Sequence, residues 1–238
     1  KYILQFFRTV IDQQTWSDSG TVSERRLRSE VLSLACHLDY PPCLERANQH
    51  FKDWLQSNGT LNLPTDVAET VFSVGAQHDH GWTLLLNTYK ISLSEAQKEK
   101  ILSALTSSRN KDKLQSLLAM GLEGNVIRSQ DLSSLVLMIA RNPKGHHLAW
   151  NFVKKNWATL VKKFQLGSFC IRNIITGTTG QFSSPEELTE VQQFFESIKE
   201  QASQLRSTQL ALDNVQKNIR WVQRNLKSLR NWLNEQMK

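Results

Sequence analysis

The residues of this chain best able to bind a metal ion are His78-Asp79-His80 and the adjacent pair His146-His147. Hydrolytic zinc chemistry would place two histidines one helical turn apart with a glutamate after the first, so that both rings and the general base share a helix face. None of the six histidines begins that pattern. His78 and His80 stand in a predicted turn between Gly75 and Gly81, with no third ligand at useful spacing. Neighbours on a helix such as His146 and His147 point about 100° apart and are not expected to share an ion. No metal ligand and no resident cofactor is therefore assigned to the chain. Nucleophilic catalysis lacks support as well. There is no G-x-S-x-G elbow, Cys170 has no histidine near it in sequence, and no glycine-rich loop leads into a phosphate-binding lysine. Taken alone, the chain reads as a non-catalytic one.

Binding is the remaining chemistry. Lys and Arg number 29 against 22 Asp and Glu, a net charge of +7 that favours an acidic partner: nucleic acid, an anionic surface or a ligand carboxylate. The basic residues are dispersed, with short clusters only at Arg25-Arg26-Leu27-Arg28, Lys154-Lys155 and Lys162-Lys163, as solvated helix faces require. A basic helical-repeat scaffold that binds nucleic acid or an acidic protein is the alternative reading; it rests on charge without a reading motif. Nucleic acid is not expected as a partner. Nor is membrane contact, since no window approaches the roughly eighteen apolar residues of a span. Trp150 and Trp157 differ by seven and so share a helix face, which suits inter-helix filling better than base stacking.

Those residues must be carried on helices. Apolar residues recur at steps of three and four, and sustained two-residue alternation is absent. Thr21-Val-Ser-Glu24 and Ser92-Leu-Ser-Glu95 have the form of capping boxes, and Ser184-Pro185-Glu186-Glu187 adds proline at the first helical position. The pattern predicts helices near 2–14, 22–38, 43–57, 65–76, 80–89, 94–106, 110–120, 130–141, 145–164, 168–176, 185–201 and 204–235. Short turns and no flexible linker suggest antiparallel helix pairs stacked as an irregular all-α solenoid of the HEAT or armadillo type, in one domain over 1–238. In the segment after Arg141, Leu148, Phe152 and Val161 are expected on the buried stripe. In the last helix Leu212, Val215, Ile219, Val222, Leu226, Leu229 and Leu233 form a heptad seam. A terminal helix laying that stripe on its predecessor is preferred to a coiled-coil dimer.

Cys36 and Cys43 flank HLDYPP, where the prolines break any helix. A disulfide could close the hairpin if the Cα atoms come within about 7 Å, and two reduced, buried thiols are the other outcome. Asn58-Gly59-Thr60 is a glycosylation sequon in a turn-like stretch. The opening KYILQFFRTVIDQQ is amphipathic from its first residues and lacks an initiator Met, so the chain is read as a piece of a longer polypeptide.

Several segments together resemble one family: QTWSDSGTVSERRLRSE, SNGTLNLPTDV, VFSVGAQ, ARNPKGHHLAWNFVKKNW, KKFQLGS, GTTGQFSS and NIRWVQRNLKSLRNWL. They are similar, in order along the whole chain, to the C-terminal domain of the oxytocinase subfamily of zinc aminopeptidases. That group includes the endoplasmic reticulum aminopeptidases and the insulin-regulated aminopeptidase. The resemblance implies a bowl of HEAT-like helix pairs covering a catalytic domain that lies upstream and holds the zinc through H-E-x-x-H. It implies peptide substrates, regulation of the trimming of antigenic precursors, and the catalytic domain of the same chain as a partner. Homodimers, or heterodimers with a related aminopeptidase, are further expectations. So is the endoplasmic reticulum lumen, with a lumenal or extracellular part of an endosomal or cell-surface enzyme as the alternative. Carried over position by position, Arg141, Gln165, Gln181 and Phe182 match residues that face the substrate cavity. Ser107 matches a position at which one member receives a peptide carboxylate with arginine, and Gln165 stands where one relative has glutamate. Arg25 and Glu30 match positions of regulatory interest, and Cys36 and Cys43 match a family disulfide.

Overall fold

The computed structural model describes residues 1–237, which form helices and turns with no strand among them. They divide into two compact units, Lys1–Arg109 and the residues from Asn110 onward.

The first unit holds α1 (Tyr2–Phe6), α2 (Arg8–Asp12), α3 (Val22–His37), α4 (Pro41–Gln56), α5 (Ala68–Gly75), α6 (Asp79–Ile91) and α7 (Glu95–Thr106). Gly20 at φ +105° turns the chain into α3. Thr21 then caps that helix reciprocally: its hydroxyl accepts from the Glu24 N–H, and the Glu24 carboxylate accepts from the Thr21 N–H. α4 opens with Pro41 and Pro42, tolerated because the first-turn N–H groups have no intrahelical partner. Its buried residues Cys43, Ala47, Phe51 and Trp54 fall at steps of four, four and three, which makes one apolar stripe. That stripe packs on α3 and α5, and α5 in turn packs on α7. α5 and α6 approach so closely that a Cβ on Gly81 would lie 2.2 Å from the Gly75 carbonyl oxygen, so glycine is required there.

Cys36 and Cys43 form the disulfide, with Cα atoms 5.3 Å apart. Closing so short a loop constrains the unfolded chain by about 2–3 kcal/mol in the entropic account. Asn58 lies exposed in the turn after α4 at φ +52°, where a glycan would meet solvent.

The second unit holds α8 (Lys111–Glu123), a short 3₁₀ turn (Ser129–Asp131), α9 (Leu132–Arg141), α10 (His146–Lys155), α11 (Trp157–Phe164), α12 (Phe169–Thr179), α13 (Pro185–Ser197), α14 (Lys199–Ala202) and α15 (Arg206–Gln236). Leu132, Leu135, Val136, Ile139 and Ala140 bury α9 against α8, α10 and α12. Beside it Trp150 contacts Phe194 and Phe195 edge-on, and Trp157 contacts Phe194 at 5.7 Å. The two tryptophans are 0% and 6% exposed and fill space between helices as expected, but from two successive helices rather than one helix face.

Several expectations are corrected: the predicted helices over 2–14 and 185–201 are each two, broken at Phe7 and at Ile198, where the backbone leaves the helical region. The predicted helix over 145–164 is two helices, broken at Asn156, whose side chain donates to the Phe152 carbonyl while its backbone leaves the helical region. Leu148, Phe152 and Val161 are only half-buried; Ala149, Trp150, Val153, Trp157 and Leu160 line the core instead. α7 is capped by Ser94, which accepts from the Gln97 N–H, rather than by Ser92. α15 packs on α12 and α13, but the residues it buries are Ser207, Thr208, Ala211 and Val215; of the heptad seam Val215 is buried, Leu212, Ile219, Val222, Leu226 and Leu233 are half-buried, and Leu229 is exposed.

Candidate functional site

Arg141 ends α9 and is exposed. The turn behind it is made by Asn142, whose side chain accepts from the Lys144 N–H, and by Gly145, whose missing Cβ admits the Ile139 carbonyl. A Cβ there would sit 2.3 Å from that oxygen, so the turn closes tightly and presents Arg141 at its edge.

Gln165 follows α11 with φ +64° and ψ 139°, a region L-residues rarely enter. The strain is held by a hydrogen bond from the Gln165 N–H to Val161 and by one from the Ser168 N–H to the Gln165 carbonyl. Its side chain is exposed. Lys163, on the preceding turn, donates to the Leu122 carbonyl and to the Ser129 hydroxyl, and Lys154 pairs with Glu190. Two of the lysines expected on a solvated face thus tie helices together. Gln165→Gly is expected to raise stability by about 1 kcal/mol, the relief of strain less the entropy of glycine, and the thermal midpoint reads it.

Gln181 is exposed in the turn after α12. Asn218 of α15 holds that turn by donating to the carbonyls of Gly180 and Phe182, at 3.1 and 2.9 Å. Phe182 differs from its expected place: it is 0% exposed, edge-on to Trp150 and stacked on His147 at a centroid distance of 5.4 Å. It supports the turn from below and offers no surface to a ligand. Arg141, Gln165 and Gln181 each end or follow a helix, where the last carbonyls lack intrahelical donors.

In the first unit Ser107 caps the end of α7, its hydroxyl donating to the Ala104 carbonyl and accepting from the Gln77 amide. It carries no charge with which to grip a carboxylate. Arg25 lies in an ion network that sequence spacing does not disclose. The Asp66 carboxylate accepts from Arg25 at 2.9 Å and from Arg28 at 2.8 Å. Asp18 accepts in turn from the backbone N–H groups of Thr65 and Asp66. Hydrogen bonds from Arg25 hold the Asp66 carboxyl below its ordinary pKa, with Arg28 adding to the effect and burial opposing it. Glu30 is exposed on α3.

His146 and His147 are closer than the helix argument predicts. Their ring centroids lie 4.2 Å apart, and Glu187 of α13 brings a carboxylate to them. His146 begins α10, and the third group arrives from a different helix; sequence spacing shows neither. Burial lowers the His146 pKa most, and the positive field of His147 acts with it, while Glu187 and the Pro143 carbonyl oppose both.

The described residues thus form an all-α domain in which Arg141, Gln165 and Gln181 are exposed at or just after helix ends. The chain belongs to the ERAP1-like C-terminal domain family, whose pattern it matches over residues 1–217. It is 54% identical to endoplasmic reticulum aminopeptidase 2 of Bos taurus over 98% of the chain and 24% of that protein. Against endoplasmic reticulum aminopeptidase 1 of Homo sapiens the identity is 46%, over 98% of the chain and 25% of that protein. Glutamyl aminopeptidase of Bos taurus is more distant, at 30% identity over a similar span. The chain thus spans about a quarter of the length of these relatives, and its own histidines do not form the H-E-x-x-H ligand set.

Proposed function

We propose that this chain is the non-catalytic C-terminal domain of an endoplasmic reticulum aminopeptidase, folded as a helical bowl over the catalytic part of the same polypeptide. In that reading its two units act as one domain, which binds the body or C-terminal end of long peptides and regulates their trimming. Antigenic precursors are the substrates, zinc belongs to the catalytic part, and pairing with a second aminopeptidase uses this chain or its parent. The observation that carries the reading is the 54% identity to an endoplasmic reticulum aminopeptidase across nearly the whole chain. The exposed sequon and the disulfide accord with an oxidising lumen.

Arg141 is the principal contact. Its guanidinium suits a peptide carboxylate in two-pronged fashion, and the net charge of +7 favours the encounter. Gln165 and Gln181 add neutral hydrogen bonds to the peptide backbone. Titrating a long peptide and its C-terminal amide into the protein tests this. The free acid is expected to bind about tenfold tighter than the amide, and Arg141→Ala to abolish the difference. If neither peptide binds at millimolar concentration in low salt, the peptide-binding reading fails.

A further inference from the structure

We propose that His146, His147 and Glu187 form a binding site for a late first-row divalent cation, zinc foremost, that clamps the start of α10 to the start of α13. One ligand atom from each residue lies within 4.8 Å of the other two. A tetrahedral ion about 2.1 Å from each ligand needs them roughly 3.4 Å apart. His147 Nε2 and Glu187 Oε1 are already at 3.5 Å, and small side-chain adjustments bring the three ligand atoms to that separation.

The surroundings orient the ligands. Glu187 Oε2 accepts from the backbone N–H groups of Ser183 and Ser184, at 2.8 and 3.0 Å, so the carboxylate is fixed with Oε1 toward the histidines. Phe182 stacks on His147 and meets His146 edge-on, a rigid apolar floor beneath both rings. Two effects oppose a cation: the field of Lys111 and the positive ends of α10 and α13. Both act through partly exposed positions, where water weakens them, whereas coordinate bonds to two imidazoles and a carboxylate do not fade in that way. Two nitrogens and one carboxylate oxygen, with room for water as fourth ligand, suit zinc, cobalt or copper over magnesium or calcium.

Cobalt(II) added to the protein near neutral pH is expected to give the visible absorption of a low-coordinate ion at one equivalent, displaced by zinc. His147→Gln and Glu187→Gln should each weaken binding at least about tenfold, while His80→Gln leaves it unchanged. His147 is exposed, so its variant should unfold like the parent without metal and lose only the zinc-induced rise in Tm. Absence of binding at millimolar cobalt, or equal affinity in the parent and the His147 and Glu187 variants, overturns the proposal.

Discussion

Replacing Asp66 by alanine is expected to lower the stability of the first unit by about 3 kcal/mol, because it strands the Arg28 guanidinium. The Arg28 side chain is only 6% exposed, and its charge is met by Asp66 and by the Ser19 carbonyl at 2.6 Å. Removing the carboxylate leaves one neutral acceptor for a buried cation whose Nε already lacks a partner. Asp66→Asn keeps an acceptor and should lose less. Urea unfolding measures both, through a lower midpoint at unchanged slope. The same residue sets an acid limb. Its folded pKa lies below the ordinary value, so its contribution is complete above about pH 4 and disappears as pH falls toward the folded pKa. Asp66→Asn should flatten that limb, and an unchanged acid profile would count against the network.

Phe182→Ala is expected to cost the second unit about 3–5 kcal/mol. The ring is wholly buried between Trp150 and the imidazoles, and its own backbone carbonyl is one of the two acceptors that pin Asn218 of α15. Deleting it opens a cavity at the point where α10, the turn before α13, and α15 meet. Phe182→Leu fills most of the volume and should lose less than half as much. Thermal unfolding with peptide binding measured in parallel separates this from a contact role: loss of binding in the alanine variant, with binding kept in the leucine variant, identifies support.

Much of the helical pattern is legible because local rules act locally. The boxes at Thr21 and Ser184 form as their spacing predicts, since a capping residue and its partner are three residues apart whatever the remainder does. The burial of Trp150 and Trp157 as inter-helix filler follows from apolar spacing, with both rings meeting Phe194. Asn156 defeats periodicity: a helix break at one residue leaves the apolar spacing on either side almost intact. Phe182 defeats it differently, because its burial depends on an aromatic cluster assembled from α10 and α13. Pairings such as Arg28 of α3 with Asp66 in the turn before α5, or His147 of α10 with Glu187 of α13, join segments remote in sequence, and no spacing within either segment encodes them.

α15 runs for 31 residues, about 46 Å, yet its buried residues are Ser207, Thr208, Ala211 and Val215. The family match ends within this helix, at residue 217. From Val215 to Gln236 lies an arm of about 30 Å, so a tilt of about 5° at the seat carries the tip about 3 Å. The same helix reaches the turn before α13, because Asn218, three residues past the last buried position, grips the carbonyls on either side of Gln181.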